Sequence, residues 1–286
     1  MGNSMLREKV IGKIDLVMWT KNGAETLPFV LKRISEVIPD KFVNKRTIVD
    51  DNSTDDTREI ARIFGWKVVL NEGAGVSDGA NTALKLVEAE FFISFEQDLF
   101  LARNWWERVP KLLLDENVAV ASGMRVSNID TIRKIEEYSV ESYKRKGTFA
   151  SYDFGRTLDN TIYKTSMIRM LGGFPKISVP AGVDTTLAAN LRKNGYQWKV
   201  EYDVQSIHLR KGSMDEIYRR YWYVSYTHTI DRKLRIKSVG LNRYIVHLIF
   251  SPFRSLDIAF KKKCPQAVVV YPLMRMAMLR GRLTAK

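Results

Sequence analysis

The sequence predicts an α/β fold: a Rossmann-like, mostly parallel sheet flanked by helices, followed by a basic helical C-terminal extension. Three observations carry this prediction. Short apolar runs alternate with helically periodic segments between residues 14 and 98. Several loops that follow the apolar runs are acidic or rich in small polar residues. Almost all of the net charge of +14 lies beyond residue 208.

The elements follow in order. Ile14 to Thr20 is almost wholly apolar, which suits a strand covered on both faces. A Lys21-Asn22-Gly23 loop comes next, and then Leu27, Val30, Leu31, Ile34 and Val37 recur at helical spacing over 26–37. Residues 46–57 read as a strand ending in an acidic turn, where Thr54, Asp55 or Asp56 can cap a helix over 56–64. A strand over 66–72, a helix over 77–90 and a strand over 91–98 complete the alternation. Such an order builds a parallel sheet whose ligands lie at the C-terminal ends of the strands.

Beyond residue 98 the pattern loosens. A helix is expected over 105–116, a strand over 118–126 and a charged helix over 130–146. An unassigned stretch, 147–171, leads into the sharp Gly172-Gly173-Phe174-Pro175 loop. A helix over 185–196 is stopped by Gly195, and a strand over 198–212 carries His208.

Composition narrows the class. With 286 residues, 45% hydrophobic and 27% charged, the chain can bury one good core and a small appended unit. The single cysteine, Cys264, excludes an internal disulfide framework and a cysteine-based zinc cluster. The opening MGNSMLREKVIGK lacks the apolar core of a signal peptide, and Leu6 stands where a myristoylation signal wants Ser or Thr. A cytoplasmic protein, peripheral on the membrane face, is therefore expected.

Residues 1–208 hold 29 Lys and Arg against 28 Asp and Glu, whereas 209–286 hold 17 against 4. This asymmetry divides the chain into an expected catalytic domain, 1–212, and a basic amphipathic region, 213–286. The tail calls for a polyanionic partner. Its longest charge-free runs, 244–253 and 264–274, are about half the ~20 residues that cross a membrane, and each contains proline. Residues 213–286 are thus expected to lie on an anionic membrane surface; the alternative is a helical pair packed on the core with solvated basic faces.

Four groups of residues could carry chemistry. Asp50 and Asp51 end a strand, where carboxylates can accept hydrogen bonds from a ribose or a base; the same residues also suit a hydrophilic turn. Glu96 and Asp98 lie two apart at a strand end and face one side, as ligands for a hard divalent cation or as a merely solvated edge. Asp184 opens a helix, where it can take a proton from an acceptor hydroxyl or serve as a plain cap. His208 can supply a third metal ligand or a structural imidazole.

The order and spacing of these groups resemble the inverting GT-A glycosyltransferases of family 2. The family's Thr/Tyr-x-Asn-x-x-Glu loop looks like Thr20-Lys21-Asn22-Gly23-Ala24-Glu25, and its V-D-D-x-S-x-D-x-T looks like Val49 to Thr57. Asn71-Glu72-Gly73 with Asn81, Glu96-Gln97-Asp98, and Gly172-Gly173-Phe174 with Val183-Asp184 look like the remaining motifs, so the likeness covers roughly residues 12–210. The resemblance implies a transfer from a UDP- or GDP-sugar donor with inversion. It implies that Thr20, Asn22, Glu25, Asp50, Asp51, Asn81 and Gln97 bind the donor, and that Asp98, Glu96 and His208 hold Mn²⁺ or Mg²⁺. Asp184 is then the general base, acting on a sugar acceptor or on a polyprenyl-phosphate or other lipid-linked acceptor. Two positions depart from the pattern: Glu96 replaces an Asp, and Val183 replaces an acidic residue beside the base.

Two other readings stand beside this one. A nucleotidyltransferase would want a glycine-rich basic loop after the first strand, and Lys21-Asn22-Gly23 is a poor version of it. A non-catalytic lipid or nucleic-acid binder could live on the basic tail. The near-neutral first two-thirds carries no aromatic-basic platform, so no nucleic-acid partner is expected.

Overall fold

The computed structural model describes residues 12–145, 155–177, 182–234 and 240–285. In it the first apolar run forms strand β1 (Ile14–Thr20), buried at every position. Strands β2 (Val43–Asp50) and β4 (Phe91–Glu96) flank β1 in parallel, and β3 (Lys67–Leu70) pairs in parallel beyond β2. A strand enclosed by neighbours and helices must be apolar on both faces, which is why β1 and β4 read as continuous runs, whereas β2 is polar in its first half and β3 is partly exposed. Asp15 is the exception within β1, fully buried yet satisfied: its carboxylate accepts from the Asn44 side chain at 2.8 Å and from the backbone N–H groups of Glu88 and Ala89.

Helices α1 (Leu27–Val37), α2 (Thr57–Ile63) and α3 (Gly75–Leu86) make the crossovers. The side chains that α1 buries are the five expected from its periodicity: Leu27, Val30, Leu31, Ile34 and Val37. They join Leu16, Met18, Ile48, Phe95 and Trp105 in one core.

The rest of the sheet runs differently. Strand β5 (Leu99–Phe100) is followed by the short helix α4 (Trp105–Arg108), and then by β6 (Val118–Ser127) and helix α5 (Asp130–Arg145). Strand β7 (Thr161–Lys164), helices α6 (Thr165–Met170) and α7 (Val183–Lys193), and strand β8 (Gln197–His208) complete this part. The sheet order is β3-β2-β1-β4-β7-β6-β8-β5, with β4–β7, β6–β7 and β5–β8 antiparallel. The sheet is therefore mixed: a parallel half carries the strand-end loops, and an antiparallel half adjoins it.

Particular boundaries also differ from expectation. The helix expected over 105–116 splits into α4 and a 3₁₀ segment at Pro110, which lacks the N–H an α-helix needs. Strand β7 lies inside the stretch left unassigned, and β8 ends at His208 rather than at residue 212. Residues 1–11, on which the targeting expectation rests, lie outside the described residues, as do 146–154 and 178–181.

By its internal contacts the chain divides into two units, residues 1–126, 155–176 and 183–209, and residues 127–154, 177–182 and 210–286. The first contains the sheet. The second is helical: α5 with α8 (Met214–Leu234), α9 (Leu241–Ile249), α10 (Ser251–Lys261) and α11 (Ala267–Thr284). Its core joins Ile132, Ile135, Ile217, Ile258, Ala267, Val270, Tyr271 and Met274. Helices α8 and α11 pass so closely at Gly281 that a Cβ there would run into the Trp222 carbonyl oxygen.

Candidate active site

Register brings the first functional residues together. Across the parallel ladders Thr20 stands opposite Asp50 and Trp19 opposite Glu96, so three strands deliver these side chains to one sheet edge. The loops that follow are stitched to each other. Asn22, at a φ of 50°, donates its N–H to Ser53 Oγ at 2.9 Å and accepts from the Thr54 N–H at 2.8 Å. Gly23 donates to Thr57 Oγ1 at 2.7 Å, and Ala24 to Asp55 Oδ2 at 3.0 Å. Burial works against ionisation of Asp55, but hydrogen bonds from Thr57 and Ala24 outweigh it and hold the carboxyl below its usual range. Asp50 is fully buried, accepts from the Ser53 N–H at 3.0 Å and lies 3.8 Å from the Arg58 guanidinium.

Beside these loops is a cavity of about 310 Å³, lined among others by Trp19, Thr20, Lys21, Asp51, Glu96 and Asp98. Asp51 is fixed on its wall by Asn71 Nδ2 and the Gly75 N–H, each at 3.2 Å, with Lys21 Nζ at 3.5 Å. Gln97 also lines the cavity, but its amide is engaged with the loop after β1. Its Oε1 accepts from the Lys21 N–H at 2.8 Å and from the Thr20 hydroxyl, while its Nε2 donates to the Lys21 carbonyl at 2.9 Å.

An acidic cluster forms the floor. Strands β5 and β8 pair so that Leu99 faces His208, and the Leu209 N–H donates to the Asp98 carbonyl at 2.8 Å. This pairing sets His208 Nε2 2.8 Å from Asp98 Oδ2. Glu96, Asp98 and His208 each offer a ligand atom, and all three atoms lie within 4.8 Å of one another. Ligands about 2.1 Å from one ion lie about 3–4 Å apart, so two carboxylates and an imidazole at this spacing fit a divalent cation such as Mg²⁺ or Mn²⁺.

Arg125, from β6, stands in the same cluster. Its guanidinium lies 3.3 Å from Asp159 Oδ2 and 3.6 Å from Glu96 Oε2. Burial opposes its charge, yet the fields of Asp159, Glu96, Asp184 and Asp98 prevail and hold it firmly protonated. Asp184 is thus within electrostatic reach of Arg125. It is half-buried in the first turn of α7, with its Oδ1 accepting from the Thr185 N–H at 2.7 Å.

Four of the expected donor residues stand apart from the cavity lining, among them Asp50, which is wholly buried beneath the loop it caps. Asn22 and Glu25 are exposed on the loop after β1. Asn81 instead holds the Gly-Gly-Phe loop: its Nδ2 donates to the Phe174 carbonyl and its Oδ1 accepts from the Phe174 N–H, both at 2.9 Å. Arg125 and Asp159 were not singled out from the sequence. A signal existed, since a lone arginine inside the apolar run VAVASGMRV demands a buried counter-charge.

Comparison with known proteins shows the family and the fold. The family model described as glycosyl transferase family 2 matches residues 15–172, more than half of the chain. The O-antigen chain rhamnosyltransferase WbaN of Salmonella anatum is 27% identical over 170 residues, which is 52% of this chain and 51% of that protein. The chain thus spans about half the length of that relative. The mannosyltransferase PcManGT of Pyrobaculum calidifontis, solved with GDP-Man and Mn²⁺, matches with a TM-score of 0.60 at 20% identity, over 93% of this chain and 73% of that one. Glucosyl-3-phosphoglycerate synthase of Mycobacterium tuberculosis, solved with Mn²⁺, UDP and phosphoglyceric acid, matches with a TM-score of 0.57 at 17% identity, over 80% of this chain and 81% of that one. At such identities the likeness to both structures is one of fold.

Proposed function

The chain belongs to glycosyl transferase family 2, and from that premise we propose that it moves a sugar from a UDP- or GDP-sugar to an acceptor hydroxyl, with inversion, at a membrane surface. The observation that carries the chemistry is the convergence of Glu96, Asp98 and His208 beside the cavity walled by Thr20, Lys21 and Asp51. A nucleoside diphosphate needs both features: hydrogen-bond acceptors for its ribose and base, and positive charge for its phosphates.

The residues divide the work. Asp51, held by Asn71 and Gly75, presents its carboxylate to the nucleoside. Thr20 and the loops pinned by Asn22 and Gln97 fix the shape of that wall. Glu96, Asp98 and His208 hold Mn²⁺ or Mg²⁺, which when bound neutralises the charge that develops on a departing diphosphate. Lys21 adds charge at the same rim. Asp184 takes the proton from the acceptor hydroxyl as it attacks opposite the leaving group, and such attack inverts the anomeric carbon. Asp159 and Arg125 keep Glu96 in place and balance the concentration of carboxylates.

The nucleotides bound to the structural relatives, GDP-Man and UDP, support a nucleoside diphosphate in this cavity, and the rhamnosyltransferase relative supports an acceptor of glycan type. A thermal-unfolding panel of UDP- and GDP-sugars, with and without Mn²⁺, tests the proposal. One donor is expected to raise the midpoint by several degrees only when the metal is present, because a ligand that binds the native state stabilises it by mass action. No shift with any nucleotide sugar, or a shift indifferent to metal, counts against it.

A further inference from the structure

The helical unit carries a continuous exposed apolar stripe. Ile245, Val246 and Ile249 of α9, Phe250 at the junction, and Phe253, Leu256 and Phe260 of α10 recur every three or four residues. Phe253 is 71% exposed and Phe260 83%. Helix α9 has no fully buried side chain, although its nine residues include Leu241, Tyr244, Ile245, Val246, Leu248 and Ile249. Side chains of this size standing together in water mark an interaction surface. Helix α10 buries Ser251, Ser255 and Ile258, so its polar serines point inward and its phenylalanines outward. This inverts the pattern of a water-facing helix.

Charge indicates what covers the stripe. Arg243, Lys261 and Lys263 are exposed beside it, and the residues from 209 onward hold 17 basic against 4 acidic residues. Within α9 and α10 the only acid is Asp257, which is engaged by the Tyr138 hydroxyl at 2.5 Å and by Lys261 at 2.9 Å. A second copy of this chain would bring a like-charged face against it. An anionic bilayer offers both an apolar interior for the phenylalanines and phosphates for the lysines and arginine. No helix among the described residues is long and apolar enough to cross a membrane, so the stripe would lie in the interface.

We infer that α9 and α10 form a peripheral anchor, which inserts Ile249, Phe250, Phe253 and Phe260 into an anionic leaflet with Arg243, Lys261 and Lys263 at the headgroups. This rests on the membrane-surface part of the proposed function and is independent of its chemistry. It also divides the two charge-free runs. In the first, 244–253, Ile245, Val246, Ile249, Phe250 and Phe253 are exposed, whereas Ala267, Val270, Tyr271 and Met274 of the second are core side chains of the unit.

The test is sedimentation of the full chain with vesicles of phosphatidylcholine alone and of phosphatidylcholine with about one-third phosphatidylglycerol. Binding to the mixed vesicles, at least tenfold weaker on phosphatidylcholine alone and reduced by salt, is the expected result. The F253S/F260S double variant is expected to lose about tenfold or more in partitioning, since burial of one phenylalanine is worth about one to two powers of ten. Its unfolding midpoint is expected to stay within about 2 °C of the parent, because both residues are exposed and leave no cavity. Unaltered partitioning of that variant would overturn the inference, as would absence of binding to either vesicle. A parent dimer at micromolar concentration that the same variant dissolves would overturn it too, by assigning the stripe to a second copy. Metal-dependent donor binding, measured separately, is unaffected by any of these outcomes.

Discussion

Asp98 and His208 stand 2.8 Å apart, and the backbone holds them there. The Leu209 N–H donates to the Asp98 carbonyl, and Leu99 pairs with His208 across β5 and β8. The two side chains are consequently placed before any ion arrives, which lowers the ordering cost of binding one. Replacing either Asp98 or His208 by alanine should cost transfer on the order of 10²–10³-fold. It should also abolish the Mn²⁺-dependent part of the donor's thermal shift, and chelation of the parent should do the same. A parent-like shift in Asp98→Ala would remove the metal from the account.

Asp184 offers a fork between two acceptor chemistries. A hydroxyl must lose a proton as it attacks, whereas a lipid phosphate is already an anion. With a hydroxyl acceptor, Asp184→Asn should slow transfer by about 10²–10⁴-fold and leave donor and metal binding intact. The measurements are single-turnover transfer and a donor titration on the same variant. Transfer at the parental rate would reassign the acceptor to the phosphate class.

The loop that carries Asp51 should be sensitive to acid through its neighbour Asp55. Hydrogen bonds hold the Asp55 carboxyl below the unfolded value of 3.8 despite the opposing effect of burial. A group depressed in this way contributes its stability above the unfolded value and loses it as pH falls through the folded one. The gap in urea midpoint between the parent and Asp55→Asn should therefore be full near neutrality and close below about pH 4. A gap that stays constant into that range would mean that the carboxylate charge contributes nothing.

What could be read from the sequence follows from burial. Strands β1 and β4 and the second half of β2 are covered on both faces, so they stand out as apolar runs, and the acids that end β2 and β4, Asp50 and Glu96, are conspicuous. The antiparallel half was less legible for the same reason. Strand β7 is only four residues long and includes Thr161 and Lys164, and no periodicity can be recognised over that length. Asn81 was visible as a motif residue, but its two bonds to Phe174 depend on how α3 meets a loop far along the chain. The run 264–274 resembles 244–253 in composition, and what sets it in the core is its packing against Ile132, Ile135, Ile217 and Ile258, the first three of which are far from it in the sequence.

Asn81 yields a prediction that separates positioning from contact. Its side chain satisfies both backbone groups of Phe174, and Gly173, at a φ of 93°, leaves room for it. Asn81→Ala strands the Phe174 N–H and carbonyl and should cost about 2 kcal/mol of stability. Gly173→Ala should cost a comparable amount, since its Cβ would run into Asn81 Oδ1 and its backbone disfavours a side chain. In both variants the donor's affinity near room temperature should stay within about threefold of the parent, a change of well under 1.4 kcal/mol. A large loss of donor affinity with normal stability would instead make Asn81 a ligand contact.

Arg125 carries the strongest electrostatic prediction. Asp159 is wholly buried and Arg125 about a quarter exposed, and the pair shares the guanidinium with Glu96. Removing the cation leaves a buried carboxylate without its partner, so Arg125→Gln should destabilise the fold by about 3 kcal/mol. Adding Asp159→Asn to that variant removes the stranded charge and should recover much of the loss, which a double-mutant cycle in urea measures directly. Glu96 is a different matter, because it also belongs to the metal-type triad. With Arg125 absent, Glu96 loses a neighbouring positive charge that a bound cation can replace, and Mn²⁺ should stabilise Arg125→Gln more than it stabilises the parent. Equal stabilisation of the two proteins by Mn²⁺ would show that Arg125 and the ion do not share Glu96.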